Sequence, residues 1–217
     1  MITAQQLLVK DVPVLQAQDD PQTALDLMDQ AHLVHLPVVE GQRFIGLVSE
    51  DELLDQEGQG QTLAPQLVKV SVLPNIHILD ILKVAGERHL SVIPVVDHED
   101  IYLGSITLNH LVEKLNEMQG GTQKGGIIVL EMWSQDYTLQ QIARIVEEND
   151  GKILSTSVAP GEDGKIEVHL KLNISDLNPI IQSLERFNYH IKASYQEREY
   201  NEDIQRRYDE LMRFLNI

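Results

Sequence analysis

Two hydroxyl side chains stand at matching places in this sequence, each three residues after a glycine. Ser49 ends the run GLVS that starts at Gly46, and Thr107 ends the run GSIT that starts at Gly104. Each hydroxyl is predicted to lie between a strand and a helix, where free backbone N–H groups and the helix dipole favour an anion. The chemistry indicated is phosphate binding. The alternative is structural, because serine and threonine are also preferred helix N-caps.

The two runs belong to a repeat. The stretch HLVHLPVVEGQRFIGLVSEDELL (residues 32–54) is followed by HLSVIPVVDHEDIYLGSITLNHLV (residues 89–112), and the offset is 57 residues at Pro37 and Pro94. The offset becomes 58 at the glycines, because the second copy has one more residue in its turn. A fixed period indicates two copies of one supersecondary unit. Paired units often build a cleft between them, which favours a binding protein over a catalyst.

Each copy is predicted to run helix, strand, turn, strand, helix. Asp20 and Pro21 have the residue types of an N-cap and a first helical position, and Asn75 is expected to cap the matching helix of the second copy. The predicted strands cover residues 36–39, 44–48, 93–96 and 102–106, and the second helices begin at residues 51 and 108. Residues 57–62, rich in glycine and glutamine, indicate a linker between the copies.

These features resemble the cystathionine β-synthase (CBS) domain family, whose copies pair into a disc-like module. The resemblance rests on LPVV at 36–39 and IPVV at 93–96, each followed by an apolar strand with its glycine, and it covers about residues 2–118. Members of the family often bind AMP, ADP, ATP or S-adenosylmethionine between the copies. The resemblance therefore implies an adenine nucleotide, with or without Mg²⁺, as the ligand of this chain.

The family pattern also implies which residues contact that ligand. The serine or threonine hydroxyl contacts phosphate, and an aspartate six residues after the glycine accepts hydrogen bonds from the ribose. Here Glu52 and His110 take the aspartate position. Segments just after Lys10 and Lys69 correspond to the adenine slot of the family. The implied ligand residues are Lys10, Val12, Pro37, Gly46, Ser49, Glu52, Lys69, Val70, Pro94, Gly104, Thr107 and His110.

The charge of the chain limits what it binds. The formal net charge is −17 over 217 residues, and residues 1–118 carry 18 acidic against 6 basic side chains. No basic stripe is present for a nucleic-acid backbone, and an anionic membrane surface is disfavoured for the same reason. A phosphate ligand of the first half must therefore bind through local donors or together with a cation. The basic side chains near the motifs are Lys10, Arg43, Lys69 and Arg88.

Other classes of function are disfavoured by what the sequence lacks. Without cysteine there are no disulfides, thiolate metal sites or cysteine nucleophiles. No run of about 18 apolar residues and no basic-then-apolar leader is present, which favours the cytoplasm. His32 and His35 have a plausible metal spacing, but His32 and His89 share one place after a helix, which favours a left-handed turn instead. No catalytic motif is recognised, so neither an enzyme nor a resident cofactor or metal is expected.

The second half follows a different pattern. After a glycine-rich flexible connector at residues 119–125, apolar runs and amphipathic stripes predict the order βαββαβ over residues 126–196, a ferredoxin-like plait. Ser175 is expected to cap the second helix of this plait. An RNA-binding role is rejected, because the strands lack the aromatic pattern that stacks on bases.

Placed behind a regulatory pair, the plait resembles an ACT domain, a module often regulated by amino acids. The first loop of that family is rich in aspartate, proline and glycine. Here the loop is Trp133-Ser134-Gln135-Asp136-Tyr137-Thr138, without proline or glycine. The competing role for the plait is dimerisation through side-by-side sheets.

The predicted fold class is α+β. The CBS repeats are placed at residues 1–58 and 63–118, the linker at 119–125, the ACT-like domain at 126–196 and a C-terminal helix at 197–217. That helix would carry an apolar stripe of Ile204, Tyr208, Leu211 and Leu215.

A CBS pair followed by an ACT-like domain resembles the acetoin-utilisation regulatory proteins of bacteria. The favoured hypothesis is a non-enzymatic, cytoplasmic homodimer that senses an adenine nucleotide and relays the change to a partner enzyme. Nucleic acid and membrane are not expected as partners. Two alternatives stay open: a ligand-free dimerisation adaptor, and an amino-acid sensor acting through the ACT-like domain.

Overall fold

The computed structural model describes residues 2–55 and 67–196, together with Met212. The chain divides into two compact units, Met1–Lys114 and Leu115–Ile217. The predicted linker at residues 57–62 and the predicted C-terminal helix at 197–217 lie outside the described residues, apart from Met212. Within the described part of the chain, no helix is both long enough and apolar enough to cross a membrane.

The first copy of the repeat folds around a three-stranded sheet. Its elements are β1 (Leu15–Gln16), α1 (Pro21–Ala31), β2 (His35–Glu40), β3 (Arg43–Ser49) and α2 (Glu50–Leu54). The sheet order is β1-β2-β3, with β1 parallel to β2 and β2 antiparallel to β3. Ala24 and Met28 form the buried stripe of α1 and pack into one core with the apolar strand residues.

The second copy repeats this arrangement. Its elements are α3 (Ile78–Arg88), β4 (Val92–Val96), β5 (Tyr102–Thr107) and α4 (Leu108–Met118). β4 and β5 pair antiparallel, and Val72 forms a parallel bridge with Val95 where β1 pairs in the first copy. The register shifts at Val38/Val39 in one hairpin and at Val95/Val96 in the other. The predicted repeat is therefore confirmed, and the two hairpins also share a register shift that the sequence does not predict.

The start of α1 and the C-terminal ends of both α1 and α3 agree with the sequence prediction. The Asp20 carboxylate caps the start of α1 by accepting the Thr23 N–H at 3.0 Å. α1 and α3 both end on a histidine in the left-handed region, His32 with φ 53° and His89 with φ 53°. The turn role predicted for these two histidines is confirmed.

The predicted N-cap of α3 is wrong, although α3 begins at Ile78, inside the stretch that the hydrophobic pattern predicts to be helical. Its N-cap is His77 rather than Asn75, and the His77 Nδ1 accepts the Leu79 N–H at 3.4 Å. The residues before it are held by the N-terminal segment, whose Ala4 N–H donates to the Ile76 carbonyl at 2.9 Å. Because this long-range pairing fixes the backbone next to Asn75, the cap is His77 and not Asn75.

The second unit is a ferredoxin-like plait, as predicted. Its elements are β6 (Ile127–Trp133), α5 (Leu139–Glu148), β7 (Ile153–Pro160), β8 (Lys165–Leu172), α6 (Asn178–Arg186) and β9 (His190–Tyr195). The sheet order is β7-β8-β6-β9, and all neighbouring strands are antiparallel. Alternate residues of β6 and β8 share one core with the buried residues of both helices, so the helices cover one face of the sheet.

The predicted cap of α6 is wrong. α6 begins at Asn178, and the carboxylate that accepts the Asn178 N–H, at 3.2 Å, is that of Asp176 rather than the hydroxyl of Ser175. Leu177 is fully buried in the core, and Pro179 is tolerated only in the first turn of a helix. These two residues set the start of the helix three residues after Ser175.

The connector at residues 119–125 is attached to the plait at both ends. The Ser155 hydroxyl donates to the Gln119 carbonyl at 2.9 Å, and the Lys171 ammonium donates to the Gly125 carbonyl at 3.1 Å. Gly125 is buried and has φ +142°. The glycine-rich composition predicts a flexible segment, but these contacts hold both of its ends in place.

Candidate functional site: two clefts between the repeated copies

Each candidate cleft is built from both copies, because two segments cross from one copy to the other. Residues 8–10, near the start of the first copy, lie along β5, where the Val9 N–H donates to the Ser105 carbonyl at 2.9 Å. Residues 67–69, near the start of the second copy, lie along β3, where Leu47 and Val68 exchange two hydrogen bonds of 2.9 Å. The two crossings are equivalent, as a repeat requires.

The crossing sorts the predicted ligand residues into two groups. We call the group of Lys10, Gly104, Thr107 and His110 the Thr107 cleft, and the group of Lys69, Gly46, Ser49 and Glu52 the Ser49 cleft. Each lysine belongs to the segment that lies beside the strand of the other copy's motif, although in the sequence it precedes its own motif.

The glycines of the motif allow this close crossing. A Cβ atom on Gly46 would lie 2.6 Å from the Leu67 Cβ, and one on Gly104 would lie 3.0 Å from the Leu8 Cδ2. Gly104 also has φ +145°, which residues with a side chain rarely adopt. The glycine thus lets the crossing segment lie directly against the strand.

In the Ser49 cleft the serine and the glutamate bind each other. The Ser49 hydroxyl accepts the Glu52 N–H at 3.3 Å and donates to the Glu52 carboxylate at 2.9 Å. The Ser49 N–H donates to the same carboxylate at 3.3 Å, which completes a capping box on α2. Glu52 is predicted to face a ribose, but here its carboxylate occupies the donors that a phosphate would use. Glu50 and Asp51 add two more carboxylates to this turn.

The Thr107 cleft has a different electrostatic setting. The Thr107 Oγ1 accepts the His110 N–H at 3.3 Å, and the His110 Nδ1 lies 3.4 Å from the Glu113 carboxylate one turn further on. The first turn of α4 contains no acidic residue, whereas the first turn of α2 consists of acidic residues. An anion therefore meets less repulsion at Thr107 than at Ser49.

The basic side chains also differ between the clefts. The Lys69 Nζ donates to the Asp100 carboxylate at 3.1 Å, and the Arg43 guanidinium lies 3.7 Å from the same carboxylate. The hydrogen bond from Lys69 holds the pKa of Asp100 below its usual range. Lys10 is exposed and has no ion pair within the described residues. Arg88 is exposed in the last turn of α3.

Three of the predicted ligand residues are buried. Pro37 lies within β2 and Pro94 within β4, and Val12 is 8% exposed in the core of the first copy. Val70 is half-buried. Because of this burial, Pro37, Pro94 and Val12 offer little surface to a ligand.

The turns of the two copies are joined as well. Phe44 and Tyr102 hold equivalent places in the repeat and stack with ring centroids 6.5 Å apart. The Phe44 N–H donates to the Asp100 carbonyl at 2.8 Å, and the Tyr102 N–H donates to the Gln42 carbonyl at 2.9 Å. The Tyr102 hydroxyl lies 2.8 Å from the Ser105 hydroxyl, and burial raises the pKa of Tyr102. The copies are therefore linked through both the turns and the crossing segments.

The sequence profile of the CBS domain family matches residues 4–57 and residues 68–117. These two matches coincide with the two copies of the repeat. The chain carries a tandem pair of CBS domains. In the terms of this family, the clefts described above lie between the two members of the CBS pair.

Several solved structures are similar to part of this chain at low sequence identity. A CBS domain pair/ACT domain protein from Thermotoga maritima is 22% identical with a TM-score of 0.49, and the match covers 54% of this chain and 98% of that one. A Vibrio cholerae protein described as an acetoin utilization protein (AcuB) is 22% identical with a TM-score of 0.49, covering 56% and 96%. CBSX2, solved in complex with AMP, is 18% identical with a TM-score of 0.48, covering 53% and 96%.

The plait, which follows the CBS pair in the sequence, contains a cleft of its own, of about 600 Å³, at the end of β6. Its lining includes Trp133 and Asp136 from the predicted loop, together with Lys165 and Tyr189. The Lys165 ammonium donates to the Glu131 carboxylate at 2.8 Å and holds the pKa of Glu131 below its usual range. The sequence indicates the loop but not Lys165 or Tyr189, because these two come from β8 and from the connection between α6 and β9.

Among the described residues, no group of three or more histidine, aspartate and glutamate side chains is arranged to hold a metal ion. The spacing of His32 and His35 therefore does not bring together a ligand set in this part of the chain.

Proposed function

We propose that this protein is a non-enzymatic regulatory sensor whose CBS pair binds an adenine nucleotide between its two copies. The observation that supports this most is the crossing of residues 8–10 and 67–69, since it builds each cleft from both copies. A ligand held there contacts both copies at once, so it favours one arrangement of the pair over another. A sensor needs that difference in affinity, because a ligand that binds both arrangements equally shifts nothing.

The Thr107 cleft is the better candidate for the phosphate groups. It combines the Thr107 hydroxyl, the N-terminus of α4 and the exposed ammonium of Lys10, with no carboxylate in the first helical turn. The formal net charge of −17 still repels a nucleotide, so Mg²⁺ bound with ADP or ATP should strengthen binding by lowering the ligand's charge. AMP, with the least charge of the three, is the adenine nucleotide that depends least on the cation.

The Ser49 cleft can bind phosphate only after a rearrangement. The Glu52 carboxylate must leave the Ser49 hydroxyl, and the Lys69 ammonium must leave Asp100. Once released, the Glu52 carboxylate is free to accept hydrogen bonds from a ribose, which is the role implied by the family pattern. This cleft is therefore the weaker of the two sites in the proposal.

The sensor is proposed to act as a cytoplasmic homodimer that passes its change of arrangement to a partner enzyme. The plait has two edge strands, β7 and β9. An edge strand carries backbone N–H and C=O groups that can pair with another chain, so side-by-side pairing of two plaits is a direct route to a dimer. Dimerisation would double the number of ligand-binding clefts that act on one partner enzyme.

Thr107→Ala is expected to weaken AMP binding about tenfold or more, because a hydrogen bond to a charged group contributes about 1.5–3 kcal/mol. Isothermal titration of nucleotide-stripped protein with AMP, ADP, ATP and S-adenosylmethionine, each with and without Mg²⁺, measures this loss. Thr107→Ser is the matched control, because it keeps the hydroxyl and should bind like the original protein.

Ser49→Ala separates the two clefts in the same titration. It should cost about 1 kcal/mol of stability through the lost N-cap and leave the AMP affinity unchanged. A loss of affinity in Ser49→Ala with no loss in Thr107→Ala would move the phosphate site to Ser49. If no nucleotide gives heat or a thermal shift, the sensor proposal is wrong, and the ligand-free dimerisation adaptor takes its place.

A second candidate function is favoured by the cleft beside Trp133. The ion pair of Glu131 and Lys165 offers opposite charges 2.8 Å apart at its edge, which suits the ammonium and carboxylate of an amino acid. Trp133 is 49% exposed and could cover an apolar side chain. The plait would then be the sensing module, and the CBS pair would be a scaffold.

Amino-acid binding at this cleft should change the protein's tryptophan fluorescence, because Trp133 is its single tryptophan. Titration with each standard amino acid should give a saturable change for one or a few of them. Lys165→Met should abolish the change, whereas Lys124→Met, in the connector, should not. A signal that stays flat with every amino acid rejects this candidate.

A further inference from the structure

His35 is an ionisable side chain at the boundary between the two CBS copies. It begins β2 of the first copy, and its Nδ1 lies 3.2 Å from the hydroxyl of Ser91, just before β4 of the second copy. The Ser91 N–H also donates to this Nδ1, at 3.4 Å. A backbone N–H can only donate, so Nδ1 must be unprotonated and the imidazole carries its hydrogen on Nε2. The contact therefore requires neutral His35.

The surroundings of His35 favour the neutral form at neutral pH. The imidazole is half-buried, and burial lowers its pKa from the ordinary value of 6.5. The carboxylates of Glu52 and Asp51, both on α2, act in the opposite direction without outweighing burial. His35 thus lies between a neutral partner in the other copy and two negative charges in its own.

No other ionisable side chain pairs with His35 among the described residues. Its partner across the β2–β3 ladder is Ser49, which does not titrate. In the second copy, His35 contacts Ser91. The ionisable residue nearest to Ser91 in the sequence is the exposed His89. The counterpart of His35 in the repeat is Val92, which is fully buried. The second copy therefore has no reciprocal contact.

We propose that the contact between His35 and Ser91 is a proton-sensitive link that ties the CBS copies together and opens when His35 takes up a proton. Protonation turns Nδ1 from an acceptor into a donor, so the Ser91 N–H loses its partner. The imidazolium is then attracted to Glu52 and Asp51 within its own copy. Because both clefts lie between the copies, opening the link changes the arrangement that a ligand meets. The inference concerns the free protein and does not depend on nucleotide binding.

The direction of the pH dependence follows from the lowered pKa. The link contributes its full stability above the ordinary histidine value of 6.5 and loses it as the pH falls through the lower folded value. Mild acid should therefore loosen the pairing of the copies.

The test is an NMR titration of the full chain from about pH 8 to about pH 5, across the range in which histidine titrates. The His35 Cε1–H signal should move with a midpoint below 6.5, and the Ser91 amide signal should move with the same midpoint. In His35→Asn, the amide oxygen replaces Nδ1 as acceptor and cannot titrate, so the Ser91 amide signal should become independent of pH.

His98→Asn is the matched control, because His98 is an exposed histidine in the turn between β4 and β5. It should leave the Ser91 titration unchanged. A Ser91 signal that does not move, or that moves with a midpoint at or above 6.5, overturns the proposal. So does a Ser91 titration that persists in His35→Asn. Should that variant fail to fold, the two midpoints of the unmodified protein still decide the question.

Discussion

Phe44→Ala is expected to destabilise the first unit by about 3–5 kcal/mol. Phe44 is 1% exposed and stacks on Tyr102 of the other copy. Truncation leaves a cavity where the two copies meet, and the crossing segments prevent the surrounding chain from collapsing into it. Urea denaturation followed by circular dichroism measures the loss. Nucleotide affinity should fall as well, since the clefts lie between the same two copies.

Tyr102→Phe is the matched control for this effect. It keeps the ring and removes only the hydroxyl that contacts Ser105 at 2.8 Å, so it should cost about 1 kcal/mol. If Phe44→Ala costs no more than Tyr102→Phe, the stacked pair does not hold the copies together.

Gly125→Ala is expected to destabilise the second unit by about 3 kcal/mol or more, because overpacking and a strained backbone each cost about 1–3 kcal/mol. The alanine Cβ would overlap the Leu172 carbonyl oxygen, and Gly125 has φ +142°. The same residue accepts the Lys171 hydrogen bond that fixes the connector. The single tryptophan, Trp133, lies in this unit, so its fluorescence during urea denaturation follows the loss.

Gly86→Ala provides the contrast. Gly86 lies in α3, and nothing lies within 4 Å of an added Cβ. Alanine is favoured over glycine inside a helix by about 0.5–1 kcal/mol, so this variant should be slightly more stable. If the two alanine variants lose the same stability, the close approach of Gly125 to Leu172 is contradicted.

Elements with strong local signals agree with the sequence prediction. Asp20 caps α1, and His32 and His89 take the left-handed conformation that their shared place after a helix indicates. The order βαββαβ of the plait is confirmed too. These features depend on a few neighbouring residues and on hydrophobic periodicity, both of which are present in the sequence.

The two wrong helix caps have a common cause. Asn75 and Ser175 both have good N-cap residue types, but the observed N-caps, His77 and Leu177, each lie two residues later. Pairing with the N-terminal segment holds the chain near Asn75, and burial of Leu177 holds the chain after Ser175. Local preference contributes about 1 kcal/mol at a cap, which such packing outweighs.

The capping box of the Ser49 cleft could have been predicted. Serine followed three residues later by glutamate, ahead of apolar residues, is its sequence signature. That pattern predicts that Ser49 and Glu52 satisfy each other, whereas the family pattern assigns both to a ligand. The structure has the capping box, and this is why the proposal places phosphate at Thr107.

The sequence by itself determined the repeat, the order of the elements, and the glycine and hydroxyl of each motif. These follow from periodicity and residue preferences within about one helical turn or one hairpin. Packing of the copies placed each lysine-bearing segment beside the strand of the other copy's motif, and it brought His35 to Ser91. Contacts between segments far apart in the chain leave no periodic pattern in the sequence, so only the tertiary structure, in which residues 8–10 and 67–69 cross between the copies, decided them.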